Sequence, residues 1–213
     1  MVAALEVAHR YAAFTGIEPG ALAAELESFA QLLAKWQRVK NLVSRETGSD
    51  FWERHIADSL QLLRYVRESD RTVLDLGSGG GFPAIPLAIA LRNHDVAFTL
   101  VESNARKAAF LRAVRRELVL NVAVEGGRIE LIAPRETSLI TSRALAALPD
   151  LLAWTAPWFS PGTRALFHKG REYGEELDKS RALWHFDVIV HPSDSEAGGV
   201  ILEISDLRAI ADT

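Results

Sequence analysis

Leu22, Leu26, Phe29, Leu32, Leu33, Trp36 and Val39 recur at steps of three and four behind Pro19, a residue suited to the first turn of a helix. The period returns in Phe51, Ile56, Leu60, Leu63 and Val66, so the first 70 residues read as helical. From residue 71 the pattern changes. Short β-branched or apolar runs at 72–76, 97–101, 121–124, 139–141 and 164–167 alternate with helical stretches, and this alternation predicts a parallel sheet covered by helices. The last two runs, 186–190 and 200–204, are joined by HPSDSEAGG, too short for a crossover helix, and so predict an antiparallel hairpin at the sheet edge. The expectation is an α/β fold with helices on both faces: a helical N-terminal extension over 1–70 and an α/β core over 71–213. At 213 residues, 48% of them hydrophobic, the chain is large enough for one well-buried domain and too small for two of full size.

Composition narrows the classes. The longest apolar run, 82–91, holds two prolines and falls well short of the roughly 20 residues a bilayer crossing needs, so no membrane partner is expected. Glu6, His9 and Arg10 interrupt the N-terminal apolar residues and no positive cluster leads them, which reads as a cytoplasmic protein rather than a secreted one. With no cysteine there is neither a disulfide nor a thiolate metal site, and no metal is expected. A net charge of −4 argues against broad nucleic-acid binding, and no DNA partner is expected. The charge is nevertheless uneven. Arg106, Lys107, Arg112, Arg115 and Arg116 crowd one segment, and Arg164, His168, Lys169, Arg171, Lys179 and Arg181 another. Such patches can bind RNA, or they are the solvated faces of helices balanced by Glu102, Glu117, Glu172, Glu175 and Glu176.

The most informative stretch is VLDLGSGGGFPAIPLAI at 73–89, an apolar strand that enters an acidic residue, a glycine-dense turn and an apolar helix. Gly77, Gly79, Gly80 and Gly81 lack a Cβ, so the turn can take positive φ and let a ligand touch backbone, the arrangement by which Rossmann-like sheets meet nucleotide ligands. A dinucleotide fingerprint would place glycine where Phe82 stands. Asp75 would repel a pyrophosphate but suits a ligand with ammonium and sulfonium groups, and the balance favours S-adenosyl-L-methionine. Glu102 closes the second predicted strand where a carboxylate can accept both ribose hydroxyls; the competing reading is a solvent-facing residue ahead of a helix cap at Ser103 or Asn104.

With VLDLGSGGGFPAIPLAI beside LVESNARKAAFLRAV, the chain resembles a Rossmann-like class I S-adenosylmethionine-dependent methyltransferase. More narrowly it is similar to the bacterial glucose-inhibited division protein B family of small-subunit (16S) rRNA guanine-N7 methyltransferases. That match extends through WQRVKNLVS at 36–44, HIADSL at 55–60, GRIE at 127–130, SRALAAL at 142–148 and HKG at 168–170. It departs ahead of the fourth strand, where APRETSLITSRA replaces an FD-like pair. The resemblance implies that Gly77 and Phe82 line the methionine and adenosine side of the cofactor, that Ile129 and Glu130 meet the adenine, that Arg143 reaches both cofactor and target, and that Lys169 and His55 face the RNA. Read without it, Arg143 is equally a strand-end charge paired with Glu102 or Glu136, Lys169 an exposed residue before Gly170, and His55 a helix-surface residue. Trp36, Trp52 and Trp154 sit at apolar steps and read as packing residues rather than stacking platforms.

The chemistry is narrowed by what is missing. Methylation at carbon 5 of a pyrimidine normally needs a cysteine nucleophile, and there is none. Exocyclic-amine methylation usually uses an Asn/Asp/Ser-Pro-Pro-aromatic loop, whereas Ser142-Arg143-Ala144-Leu145 stands there. Guanine N7 has a free in-plane lone pair, so it needs alignment and electrostatic support but no general base. The resulting expectation is methyl transfer to a guanine of 16S rRNA in the small ribosomal subunit, by a monomer, with Arg143 or Lys169 donating to guanine O6. The alternatives are a methyltransferase for a small molecule or a protein, a non-catalytic S-adenosylmethionine-binding assembly factor, and an NAD-dependent oxidoreductase.

Overall fold

A computed structural model of the chain describes residues 2–40, 49–195 and 197–210. The 41–44 part of the WQRVKNLVS segment and the side chain of Val39 lie outside the described residues. Seven strands form one sheet: β1 (Thr72–Leu76), β2 (Ala97–Glu102), β3 (Val122–Gly126), β4 (Leu139–Arg143), β5 (Arg164–Lys169), β6 (Trp184–Pro192) and β7 (Val200–Ala209). Their order is β3-β2-β1-β4-β5-β7-β6. The first five run parallel, and β7 lies antiparallel between β5 and the edge strand β6, as the short 191–199 connection requires. β1 pairs with β2 on one side and β4 on the other, so chain order reverses there, and the crevice beyond the carboxyl ends of those strands is where an open α/β sheet takes its ligands.

Alternating burial explains why the strands hold their places. Val73, Leu139 and Leu166 enter a core with the N-terminal helices, while their neighbours Leu74, Ile140 and Phe167 enter a second core on the opposite face. A sheet covered on both sides permits no polar face, which accounts for the near-continuous apolar runs in the sequence. β4 and β5 each outlast their predicted apolar run by two residues, ending on the paired rows Ser142↔Phe167 and Arg143↔His168 with Lys169 beyond. Backbone pairing, not side-chain hydrophobicity, carries the ladder on, and it places these cations at the ligand edge.

The extension packs helices Val2–Tyr11 and Pro19–Lys40 against the first core, with Leu22, Leu26 and Phe29 fully buried and Trp36 set 5.7 Å from the ring of Phe110. Periodicity predicts a regular helix over the second run. The structure instead gives a mixed stretch: Ser49–Phe51, a wide π turn at Trp52–Ala57, Asp58–Leu60, and a tight 3-10 turn at Gln61–Arg64. Every residue from His55 to Leu63 is buried, so no solvent face remains. Polar His55, Asp58, Ser59 and Gln61 are carried inward because they find partners there. Among the described residues no helix is long and apolar enough to cross a membrane.

Candidate active site

β1 ends in the glycine turn. Gly77, Gly79 and Gly81 hold φ of +64°, +54° and +94°, the left-handed region where a Cβ is strained. A Cβ on Gly77 would lie 2.5 Å from Cδ1 of Leu145. Beside this turn opens a cavity of about 400 Å³, walled by Leu76, Gly77, Val101, Ile129, Glu130, Leu145 and Trp154, within the usual size for a cofactor site. The expected pair Ile129 and Glu130 is therefore on its wall. Trp154 packs on the second core and also faces this cavity, a role the helical pattern does not reveal.

Glu102 is buried to 6% exposure and is not the solvent-facing residue of the competing reading: its Oε2 accepts from the Gly79 amide at 2.8 Å and its Oε1 from the Asn104 amide at 2.7 Å. The carboxylate ties the glycine turn to the loop after β2, while Asn104 caps the helix Ala105–Glu117. Asp75 departs from expectation. It is fully buried beneath the turn rather than on a cavity wall, accepting from Thr141 Oγ1 at 2.7 Å. Burial pushes its carboxyl up to about 7 against the opposing pull of Ser78, Thr141 and Arg143, so it presents no fixed anion to a ligand. Phe82 departs as well. Its buried ring does not line this cavity; it packs against Phe29 and Phe51 at 5.5 and 6.1 Å, stacks on His55 at 5.0 Å, and lies under the Arg143 guanidinium at 5.1 Å.

A second cavity, about 390 Å³, lies on the far side of the β4 exit, where Arg143 and Ala144 line it while Leu145 lines the first. The turn after β4 thus borders both hollows, and Ala144 holds φ of +50° within it. Arg143 pairs with neither Glu102 nor Glu136. Its Nη1 donates to Asp58 Oδ2 at 3.0 Å and to the Arg54 carbonyl at 2.8 Å, and its Nη2 donates to His55 Nδ1 at 2.7 Å. His55 is accordingly a buried wall of this cavity and not a helix-surface residue. Asp58 is the hub, taking Gln61 Nε2 at 2.7 Å and the Ser195 hydroxyl on Oδ1, with its carbonyl 2.9 Å from His168 Nε2. Burial lowers the His168 pKa despite the nearby Asp58 carboxylate, which favours a neutral ring that donates from Nε2.

Lys169 is not exposed. Its Nζ donates to the Ala146 carbonyl at 2.9 Å and sits 2.5 Å from Glu176 Oε2, which also accepts the Leu148 amide at 2.5 Å. The second charged segment is thereby divided. Arg164 is buried, His168 and Lys169 line the cavity, and Arg171, Lys179 and Arg181 stay exposed. Asp58, His168, Glu176 and Leu145 stand in the sequence only within motifs, a loop or charged segments, with no site role of their own. Asp58 stands three residues after His55, on a helical stretch, and was the one with a local signal.

The model of a family described as rRNA small subunit methyltransferase G matches residues 22–199. Ribosomal RNA small subunit methyltransferase G of Brucella ovis is 46% identical over 190 residues, covering 88% of this chain and 89% of the relative, and the protein of the same name from Brucella suis biovar 1 matches equally. Among solved structures, the mitomycin 7-O-methyltransferase MmcR superposes with a TM-score of 0.62 at 17% identity, over 83% of this chain and 60% of its own length. An O-methyltransferase from Bacillus cereus in complex with SAH gives 0.58 at 16% identity, over 86% and 91%. These two likenesses are likenesses of fold.

Proposed function

The chain belongs to the rRNA small subunit methyltransferase G family, and from that premise we propose that it moves the methyl group of S-adenosylmethionine onto N7 of one guanine in 16S rRNA of the small ribosomal subunit. The observation that carries this reading is the pair of cavities that border one turn, Arg143 and Ala144 lining one and Leu145 the other. One is a glycine cradle with an acceptor, Glu130, on its wall; the other sets Arg54, Arg143 and Lys169 beside Asp58 and Glu176. The cradle fits the cofactor: Gly77 and Gly79 supply the close backbone approach, Glu102 fixes the turn and keeps lone pairs for ribose hydroxyls, and Ile129 with Glu130 suits an adenine and its amino group. Bound there, S-adenosylmethionine supplies an electrophilic methyl on a sulfonium.

This chain's residues do the rest by alignment. N7 needs no proton removed, so no side chain has to serve as a base. Asp58 is already committed to Arg143, Gln61 and Ser195, and the cavity offers donors instead. Lys169 has two of its three ammonium hydrogens engaged, leaving one for guanine O6. Arg143, held by Asp58, His55 and the Arg54 carbonyl, keeps a positive charge at the junction. Reaching this site requires the target base to leave its stack. The extension and the core act as one methyltransferase unit, because Arg143 of the core is held by residues 54–58 of the extension. We take the active form to be a cytoplasmic monomer that acts on rRNA, not on DNA or a membrane.

The test is transfer of labelled methyl to small subunits from cells lacking this gene, beside naked 16S rRNA and large subunits, with nucleoside analysis. About one 7-methylguanosine per small subunit is expected. Incorporation at another base atom, or none with the cofactor bound, would reject the reading.

A further inference from the structure

Glu176 is left over from this mechanism. It lines the cavity beside Lys169, half-buried on the helix Tyr173–Arg181. Its Oε2 carries both the Lys169 ammonium and the Leu148 amide, while Oε1 has no hydrogen bond among the described residues. A carboxylate oxygen with open lone pairs next to a cation with an open hydrogen is an acceptor–donor pair facing one cavity. Guanine carries the matching array: O6 accepts, and N1–H with the N2 amino group donates.

We propose, resting on the guanine-N7 reading, that Glu176 selects guanine by accepting from N1–H and the N2 amino group while Lys169 donates to O6. Chain geometry orders the partners. Glu176 is fixed at Leu148, Lys169 at Ala146, and the turn that borders both cavities lies at Ala144 and Leu145. Around the guanine ring the sequence is the same: N2 and N1, then O6, then N7. A base seated with its Watson–Crick edge on Glu176 and Lys169 therefore turns N7 toward the cradle. Adenine is refused at both contacts, since it offers an amino group to the lysine and an unprotonated N1 to the carboxylate. The other carboxylate on the cavity wall, Asp58, cannot take this part because Arg143, Gln61 and Ser195 occupy it.

Inosine keeps O6 and N1–H but lacks the N2 amino group, and so isolates the contact. Small subunits would be assembled with 16S rRNA ligated to carry guanosine or inosine at the methylated position, and single-turnover methyl transfer measured for both. The wild-type enzyme should be slower on inosine by about tenfold or more, because Glu176 loses one of the two donors it accepts from. Glu176→Gln should slow transfer to guanosine by roughly 10- to 100-fold, bring the guanosine-to-inosine ratio near one, and bind S-adenosylmethionine as the wild type does. Equal wild-type rates on the two substrates, or an unchanged ratio in Glu176→Gln, would overturn the assignment. Should the variant fail to fold, the wild-type ratio decides alone. If the wild type makes no 7-methylguanosine from the guanosine substrate, the underlying reading fails, which nucleoside analysis separates from a failure of the Glu176 assignment alone.

Discussion

Gly77 carries two constraints at once, a positive φ and a side chain at van der Waals range. With φ at +64° and Leu145 Cδ1 only 2.5 Å from where a Cβ would stand, a β-branched residue must both adopt a backbone conformation costing about 1–2 kcal/mol and displace Leu145 into the cavity that Leu145 helps wall. Gly77→Val should therefore lower S-adenosylmethionine affinity by at least about 100-fold in a calorimetric titration, while far-UV circular dichroism stays near wild type. Near-normal affinity would move the cofactor site away from this turn. The neighbouring Gly79 meets no such wall, its nearest contact being a backbone oxygen at 3.6 Å. The residue that a glycine motif makes prominent is thus not equally constrained at every glycine.

At the scale of an element, the cavity around Arg143 depends on a helical stretch that is not a regular helix. The π turn Trp52–Ala57 and the residues after it deliver His55 and Asp58 to the sheet edge, where Asp58 holds Arg143 at 3.0 Å with side-chain exposures of only 11% and 17%. Those low exposures remove most of the solvent screening that makes surface pairs weak. Asp58→Asn keeps an oxygen for Gln61 and Ser195 but removes the charge facing Arg143. Methyl transfer to small subunits should fall by about tenfold or more in kcat/KM, with cofactor affinity little changed; an unaltered rate would show that Arg143 needs no such anchor. This element also marks how far the sequence could be read. Strand positions were legible because burial on both sheet faces writes uninterrupted apolar runs, and the glycine cradle because only one residue type tolerates its φ values. The π turn was not, since Phe51, Ile56, Leu60 and Leu63 satisfy a helical period whatever the hydrogen-bond spacing beneath them. Asp58 and Glu176 were missed for a related reason: a carboxylate committed to a partner 85 residues away looks, in sequence, like any solvated charge. Asp75 was legible as a position but reads in sequence as a carboxylate that meets the ligand, because desolvation is a property of what covers a residue.

Across the whole molecule, the far end of the sheet is fastened by ions, and this bears on the cavity at the near end. Arg164, at the start of β5, donates to Glu203 at 2.6 Å, Asp70 at 2.6 Å and the Tyr65 carbonyl at 3.0 Å, and Arg67 and His191 also reach Glu203. One buried cation on β5 thus joins residues 65–70 at the end of the extension to β7, and His191 of β6 shares its Glu203 partner. Removing Arg164 takes the guanidinium from Asp70 and leaves Glu203 with only Arg67 and His191, and breaking a buried pair costs about 3–5 kcal/mol. The pH dependence follows from Glu203. Burial pushes its carboxyl up, but the hydrogen bonds from His191 and Arg164 outweigh this and leave it below the ordinary 4.5. A carboxyl lowered on folding contributes stability that is present above its unfolded value and lost as pH falls through its folded value. In Arg164→Met the largest guanidinium contribution is gone, so Glu203 titrates higher and the acid-side loss should begin at a higher pH. Urea midpoints from pH 3 to pH 7 would check both effects: a uniform drop relative to wild type near neutrality, and an earlier onset of acid destabilisation. Adding Glu203→Gln to Arg164→Met should recover part of the loss, because it removes a buried charge that has lost its buried guanidinium partner. A double variant no more stable than Arg164→Met would mean that the cluster acts by packing rather than by charge, and that the extension is held to the sheet chiefly by its apolar core.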